Sequence, residues 1–289
     1  MNDLALLYDR RGKYAEAEKL LTKLVEMKNR ILGENDPSTL STMYDLAILL
    51  YKYQRNYAQA EPLLIKVLEA RRPMLGEEHR STLDTMNRLG DLYRYEGKYA
   101  DAEALLSKSL VGLRRILGDE HPWTLGAMNN MALMREYQGK YTEAEALFSK
   151  ALEGYRRVLG EEQPSTLNTT NNLADLYVDQ SRFAEAAALL QRVLTVYGKT
   201  TPDAWSRYYS QRLLGASLAA QKKYPEAEPL LLSGYEWMVR LEPTISGVGR
   251  SDSELAVSRI VQLYEDWGKP EQATVWRQKL QATRLSVSP

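Results

Sequence analysis

The chain's 289 residues carry 38 basic against 38 acidic side chains, no cysteine and 44% hydrophobic residues. That is too apolar for a disordered chain and enough for a packed core. A net charge near zero leaves no electrostatic footprint for nucleic acid, and the lack of cysteine excludes disulfides and thiolate metal sites. No apolar run approaches the ~18 residues of a membrane span, and no basic-apolar leader opens the chain; these absences favour a cytoplasmic setting.

In chain order, Met1-Asn2-Asp3-Leu4 enters helical pattern at once, with Asn2 already in mid-helix register. The first helix is therefore short, the chain is expected to be cut from a longer protein, and its bare end offers a stacking surface to a second copy. Gly12-Lys13-Tyr14-Ala15-Glu16-Ala17-Glu18 follows. Near copies return as Asn56-Tyr57-Ala58-Gln59-Ala60-Glu61, Gly97-Lys98-Tyr99-Ala100-Asp101-Ala102-Glu103 and Gly139-Lys140-Tyr141-Thr142-Glu143-Ala144-Glu145. Weaker copies stand at Arg182-Phe183-Ala184-Glu185-Ala186, Lys223-Tyr224-Pro225-Glu226-Ala227-Glu228 and Gly268-Lys269-Pro270-Glu271-Gln272-Ala273. The Tyr, Phe or Pro position advances by 43, 42, 42, 42, 41 and 46 residues. A fixed period of this size marks stacked structural repeats. The Glu residues after each aromatic read as solvated charge favoured by a helix N-terminus, not as catalytic pairs.

The second repeat carries one extra residue. Leu46-Ala47 aligns with Leu173-Ala174, whereas Tyr51 aligns with Tyr177 only through an insertion near Ile48-Leu49. Such an insertion is absorbed as a π-bulge or as plain drift in the stack.

The repeat from His121 to Gly160 shows the unit. Pro122 suits a first helical turn, where its missing N–H has no partner to lose. Leu125, Met128, Met131, Ala132 and Met134 then form one apolar face. Gly139 ends that helix, and Tyr141 starts a second, whose stripe is Ala144, Leu147, Phe148, Ala151, Leu152, Tyr155, Val158 and Leu159. Two antiparallel helices bury one stripe against each other and leave a second face for the next pair. Small residues fall in the middle of each first helix (Ala47, Gly90, Ala132, Ala174, Gly215) and early in each second helix (Ala17, Ala60, Ala102, Ala144, Ala186, Ala227). They let the two backbones approach closely. His79 and His121, the two histidines, lie in repeat-joining loops and read as loop caps, not zinc ligands.

After Leu194 the pattern decays. Thr200-Thr201-Pro202 replaces the usual loop, and Glu242-Pro243-Thr244-Ile245-Ser246-Gly247-Val248-Gly249 is a longer connector. The boundaries read as a repeat array over 1–242, a connector over 243–250, a capping helix pair over 251–284 and a loose tail over 285–289. Arrays need such a cap to shield their last apolar face.

The pattern resembles the tetratricopeptide repeat: Met86, Leu89, Gly90 and Tyr93, or Thr170, Leu173, Ala174 and Tyr177, in the first helix, and Ala102 with Leu106 or Ala144 with Phe148 in the second. The usual period is ~34 residues. The longer period here, the loops Leu117-Gly118-Asp119-Glu120-His121-Pro122 and Leu159-Gly160-Glu161-Glu162-Gln163-Pro164, and Asn129-Asn130-Met131-Ala132 and Asn171-Asn172-Leu173-Ala174 are similar to the kinesin-light-chain subclass. The C-terminal part, through Gln262-Leu263-Tyr264-Glu265-Asp266-Trp267, resembles more loosely the repeat tails of bacterial serine/threonine kinases. The fold implied is all-α, a right-handed α-solenoid of about seven antiparallel helix pairs, the first truncated and the last a cap.

First helices line the concave face of such a stack. Aligned positions there hold Asn2, Tyr44, Asn87, Asn129 and Asn171. An asparagine offers donor and acceptor together, so it can hold the backbone of an extended peptide; it can equally build a ladder between repeats. The resemblance implies the peptide-holding role for Asn87, Asn129 and Asn171. Arg88, Asp91, Arg94, Asn130, Asp175 and Arg212, of mixed sign, are the neighbouring candidates, and Tyr44 and Tyr95 are expected to be exposed. No run of lysines and asparagines reproduces the carboxylate clamp of chaperone-binding relatives, so a partner with a free acidic tail is not implied. No nucleophile–base pair, metal set or cofactor loop is present. The expected function is a non-catalytic scaffold that binds a protein or peptide partner along its concave face, with no cofactor, nucleic acid or membrane. The alternatives are the docking arm of a kinase-like enzyme and a self-associating structural piece.

Overall fold

The computed structural model describes residues 14–200, 205–241 and 250–285, and among them every regular element is a helix. The expectations on Asn2, the short first helix, Thr201-Pro202, the connector over 242–249 and the end of the tail lie outside the described residues. The helices are α1 (Tyr14–Leu32), α2 (Pro37–Tyr53), α3 (Tyr57–Leu75), α4 (Arg80–Tyr95), α5 (Tyr99–Leu117), α6 (Pro122–Tyr137) and α7 (Tyr141–Leu159). They continue as α8 (Pro164–Asp179), α9 (Phe183–Thr200), α10 (Trp205–Ala220), α11 (Tyr224–Leu241), α12 (Arg250–Asp266) and α13 (Pro270–Leu285). Even-numbered helices are the first of each pair, odd-numbered the second. The chain divides into two compact units, residues 1–169 and 170–289.

The small residues do what the repeat pattern requires. Ala17, Ala47, Ala60, Ala102, Ala132 and Ala144 in the first unit, and Ala174, Ala186 and Ala227 in the second, are all 0% exposed. A Cβ on Gly90 would stand 3.2 Å from the carbonyl oxygen of Ala102 and 2.8 Å from Leu106 Cγ. One turn after each second-helix alanine, Leu64, Leu106, Phe148 and Leu190 fill one repeated core position and are fully buried, each stabilising by roughly 1.5–3 kcal/mol. Val158 departs from the predicted stripe and is 45% exposed. The Tyr155 hydroxyl donates to the carbonyl of Pro122, the first residue of α6, at 3.1 Å, so the last turn of α7 runs past the start of its partner.

Caps set the ends. The Asp36 carboxylate accepts from the Ser38 N–H at 2.8 Å, and His79 and His121 do the same through Nδ1, from Ser81 at 3.1 Å and Trp123 at 3.2 Å. Both histidines are thus helix N-caps, which satisfy one of the orphan donors of a first turn. At the turn inside each pair, Gly97 and Gly139 take φ of 77° and 71°. Arg55, Ser181 and Lys222 hold the same left-handed geometry at 51°, 59° and 61° despite their side chains.

The extra residue of the second repeat makes no π-bulge. Helix α2 is α-helical throughout and has 17 residues where α4 and α6 have 16. The difference continues into the turn: the Asn56 N–H reaches back to Leu50 at 3.0 Å, whereas Lys98 reaches Tyr93 at 2.9 Å, five residues behind it. A frayed end takes an extra residue without breaking interior hydrogen bonds.

The last Glu of four copies of the motif is not merely solvated. It accepts from the end of the next first helix or the turn that follows it: Glu18 from Gln54 at 2.9 Å, Glu61 from Lys98 at 2.9 Å, Glu103 from Gln138 at 2.7 Å and Glu228 from Tyr264 at 2.7 Å. The Gln138 amide and the Arg135 guanidinium hold the Glu103 carboxyl below its usual range. On the opposite edge Lys66, Lys108 and Lys150 pair with Glu34, Glu77 and Asp119 of the preceding repeat. The sequence marks these residues by their period and gives no hint that the contacts cross between repeats.

Candidate functional site

Which side of the stack can receive a partner follows from the packing. In the first unit α2 touches α4 and α4 touches α6; in the second α10 touches α12. No two successive second helices make a contact of similar extent among the described residues. Each unit therefore curves with its first helices inside, and the candidate residues stand on that inner side.

Their positions differ in depth. Asn87, Asp91, Arg94, Asn130 and Asn171 are buried, at 2, 3, 3, 7 and 3% exposure. Tyr44, Arg88, Asn129, Asp175 and Arg212 are half-buried. The buried set is bonded within the protein. The Asn130 amide donates to Asn87 Oδ1 at 3.3 Å, across from one repeat to the next. Asn171 accepts from the Ser210 hydroxyl at 2.8 Å, again across repeats. The inter-repeat ladder that the asparagines could build is thus present at these positions. Asp91 and Arg94 form an ion pair at 2.8 Å, and the Tyr51 hydroxyl donates to Asp91 at 3.3 Å. Arg94 also lies 4.1 Å from the Tyr95 ring centre and 5.2 Å from that of Tyr137, a cation–π arrangement. Tyr95, predicted to be exposed, is 45% exposed, and Tyr57 stacks on it at 5.8 Å.

The half-buried set faces the inner side in small groups. The Tyr44 hydroxyl donates to Asp84 and accepts from Arg88 Nε at 3.1 Å, while Arg88 approaches Asp84 at 3.5 Å. Arg71 lies 5.2 Å from the Tyr44 ring centre and bonds Thr85 Oγ1 at 2.8 Å. Burial, the largest cause, raises the Tyr44 phenol above its usual range. Asn129 lies beside Asn130, its amide 3.5 Å from that side chain's oxygen. In the second unit the Tyr209 hydroxyl donates to Asp175 at 2.6 Å, and Arg212 lies 5.2 Å from the Tyr209 ring centre.

Asp84, Tyr51 and Tyr209 escaped the sequence reading. A signal existed for the first two. Tyr44 meets Asp84 and Tyr51 meets Asp91 at the same separation of 40 residues, a little under one repeat. A search for polar pairs at that offset finds both. Among the described residues no group of His, Cys, Asp and Glu could hold a metal ion, and no helix is long and apolar enough to cross a membrane.

The comparisons bear on this geometry. One tetratricopeptide repeat model matches residues 1–72, 49–110, 81–133 and 123–199, and a second matches 171–236. The chain is similar to a Podosopora anserina protein of kinesin-light-chain type with nearly identical TPR-like repeats, at 26% identity and a TM-score of 0.56, over 72% of this chain and 98% of that one. It is similar in fold to BtubC (BKLC) of P. vanneervenii, at 21% identity and a TM-score of 0.61, over 79% of this chain and 92% of that one. Pseudomonas aeruginosa pilF shares the fold at 16% identity and a TM-score of 0.55, over 84% and 90%. No sequence among the curated proteins matches.

Proposed function

Because this chain belongs to the tetratricopeptide repeat family, we propose that it is a non-catalytic scaffold that holds an extended peptide or a helix of a partner protein along the inner side of its first helices. Repeats of this family generally serve protein–protein interaction. The observation that carries the finer reading is the division of labour among the inner polar residues. Asn87, Asp91, Arg94, Asn130 and Asn171 spend their hydrogen bonds inside the protein and fix the spacing of the first helices. Tyr44, Arg88, Asn129, Asp175 and Arg212 stand half-buried beside them, with surface left for a ligand. Rigid supports beneath accessible polar groups are what a preorganised binding face needs. The asparagine reading narrows accordingly: Asn129 is the contact residue, and Asn87 and Asn171 are its structural counterparts. The partner is a protein, with no role for nucleic acid, membrane or cofactor, and the setting is cytoplasmic.

The test is a random-peptide library panned on the whole chain and on a variant carrying Tyr44→Phe, Asn129→Ala and Arg212→Met. Peptides that bind the parent are expected to lose about tenfold or more in affinity on the variant, with its helical circular dichroism unchanged. Peptides that bind both equally would place the site off the inner side.

A further inference from the structure

The inner polar residues of the first unit are paired with one another, as the Tyr44–Asp84–Arg88 and Asp91–Arg94 groups show. Four charges on the inner side of the second unit are not. Asp175 and Asp179 lie one turn apart at the end of α8, Arg212 is on α10 and Arg259 on α12. Asp175 accepts from the Tyr209 hydroxyl at 2.6 Å, and Arg212 lies 5.2 Å from the centre of the same ring. Among the described residues none of the four forms an ion pair with another. Arg259 Nη1 is buried and has no hydrogen-bond partner.

The four still feel one another. Burial first, and then the charge of Arg212, pull the Arg259 guanidinium below its usual value, against the opposite pull of Asp175, Tyr209 and Asp179. Burial, and then Asp175, hold the Asp179 carboxyl above its usual range, and Arg259 draws it back. By element the two acids stand on α8 and the two bases on α10 and α12. Asp179 is exposed and Asp175, Arg212 and Arg259 are half-buried, and a charge partly withdrawn from water is costly unless it is paired.

We propose that this strip reads charge on a bound chain: it takes an extended segment with a basic side chain over Asp175 and Asp179 and an acidic side chain over the guanidinium groups of Arg212 and Arg259. This rests on the inner-face reading above and gives it a partner chemistry. Packed helices stand about 8–10 Å apart and an extended chain rises about 3.3 Å per residue. One to two helix steps therefore put the two charges about three to six positions apart on the ligand. An anion alone fits less well, because the two α8 carboxylates repel it.

The experiment pans one random-peptide library on the whole chain, on Arg259→Met and on Asp179→Asn, and sequences the enriched pools. The parent pool is expected to be enriched about tenfold in Lys or Arg placed three to six positions from Asp or Glu. Both variants should lose that enrichment while still binding other peptides, and Arg259→Met should unfold at the parent's temperature or above it. A parent pool without such pairs, or pairs kept on both variants, overturns the charge reading and leaves the scaffold standing. An Arg259→Met chain that melts several degrees lower also overturns it, because the guanidinium is then a structural group. No enrichment on any chain overturns the inner-face reading itself, and the charge reading with it.

Discussion

In the first unit the same polar contacts recur at joint after joint. Lys66, Lys108 and Lys150 reach the loop acid of the repeat before them, Glu18, Glu61 and Glu103 hold the end of the first helix after them, and Asp36, His79 and His121 cap in turn. In the second unit, among the described residues, the glutamate contact survives at Glu228, and aromatic packing joins the helices: Tyr208 on Trp237 at 4.6 Å, Tyr235 edge-on to Trp276 at 5.0 Å and Tyr224 on Trp267 at 5.8 Å. Recurrence repeats the polar partners from joint to joint, and it also repeats a hydroxyl without one, at Thr39, Thr82 and Thr124. Where recurrence lapses, apolar and aromatic contacts still hold the helices together, since they are not directional in the same sense, and there a charged group, Arg259 Nη1, is without a hydrogen-bond partner. Regularity thus serves the frame, and its lapse changes which contacts carry that frame.

The sharpest way to break that contrast is to neutralise one arginine in each unit. Arg94→Met leaves Asp91, 3% exposed, without its ion pair, and removal of one member of a buried pair costs about 3–5 kcal/mol. Arg259→Met removes a guanidinium whose Nη1 bonds nothing and is expected to cost nothing. Urea unfolding of both chains checks this, and equal losses would erase the distinction between the units.

Next in size is Gly154→Ala. A Cβ there would stand 2.5 Å from Leu125 Cδ2, and Leu125 is 1% exposed, so it has little room to yield. Overpacking of this kind costs about 1–3 kcal/mol. One period later the second unit carries Val196, half-buried, where the first carries Gly112 and Gly154. Val196→Gly should therefore fail to stabilise, which thermal melts of the two variants will show. A smaller gain is expected from Lys222→Gly. Lys222 sits at φ 61° where Gly97 and Gly139 stand in their repeats, and relief of left-handed strain is worth about 1 kcal/mol. A melting point that falls would mean the side chain stabilises that turn by some other contact.

The fold was legible because repetition multiplies a weak signal. One alanine in a helix says little, but the alanines from Ala17 to Ala227 at one register, all fully buried, specify where two backbones meet. Depth on the inner side was not legible. Asn87 and Asn129 occupy the same register, yet Asn87 is buried and Asn129 half-buried, because Asn130 of the next repeat, and not the aligned residue, reaches back to Asn87. That contact belongs to two repeats at once, and a register read within each repeat does not contain it. The same limit hid the glutamate contacts, which looked like helix-start charge because their partners lie 32 to 37 residues away.

The lysine ladder of the first unit gives the smallest expected effect and tests whether recurrence is itself stabilising. Lys108 bridges to Glu77, which also takes Arg72 at 3.2 Å, and Lys150 bridges to Asp119, which also takes Arg114 at 3.2 Å. The Lys108 bond holds the Glu77 carboxyl below its usual range, and Lys150 does the same for Asp119. All these groups lie at the surface, where an ion pair contributes a few tenths of a kcal/mol and is screened by salt. Lys108→Gln and Lys150→Gln singly should each lower stability by about that much at low salt and by nothing measurable at ~1 M, where the screening length is about 3 Å. If the bridges act only pairwise, the double variant equals the two single losses together. A larger loss in the double variant would mean that neighbouring joints support one another along the first unit, and that the period in the sequence is selected for the ladder as a whole and not for each contact alone.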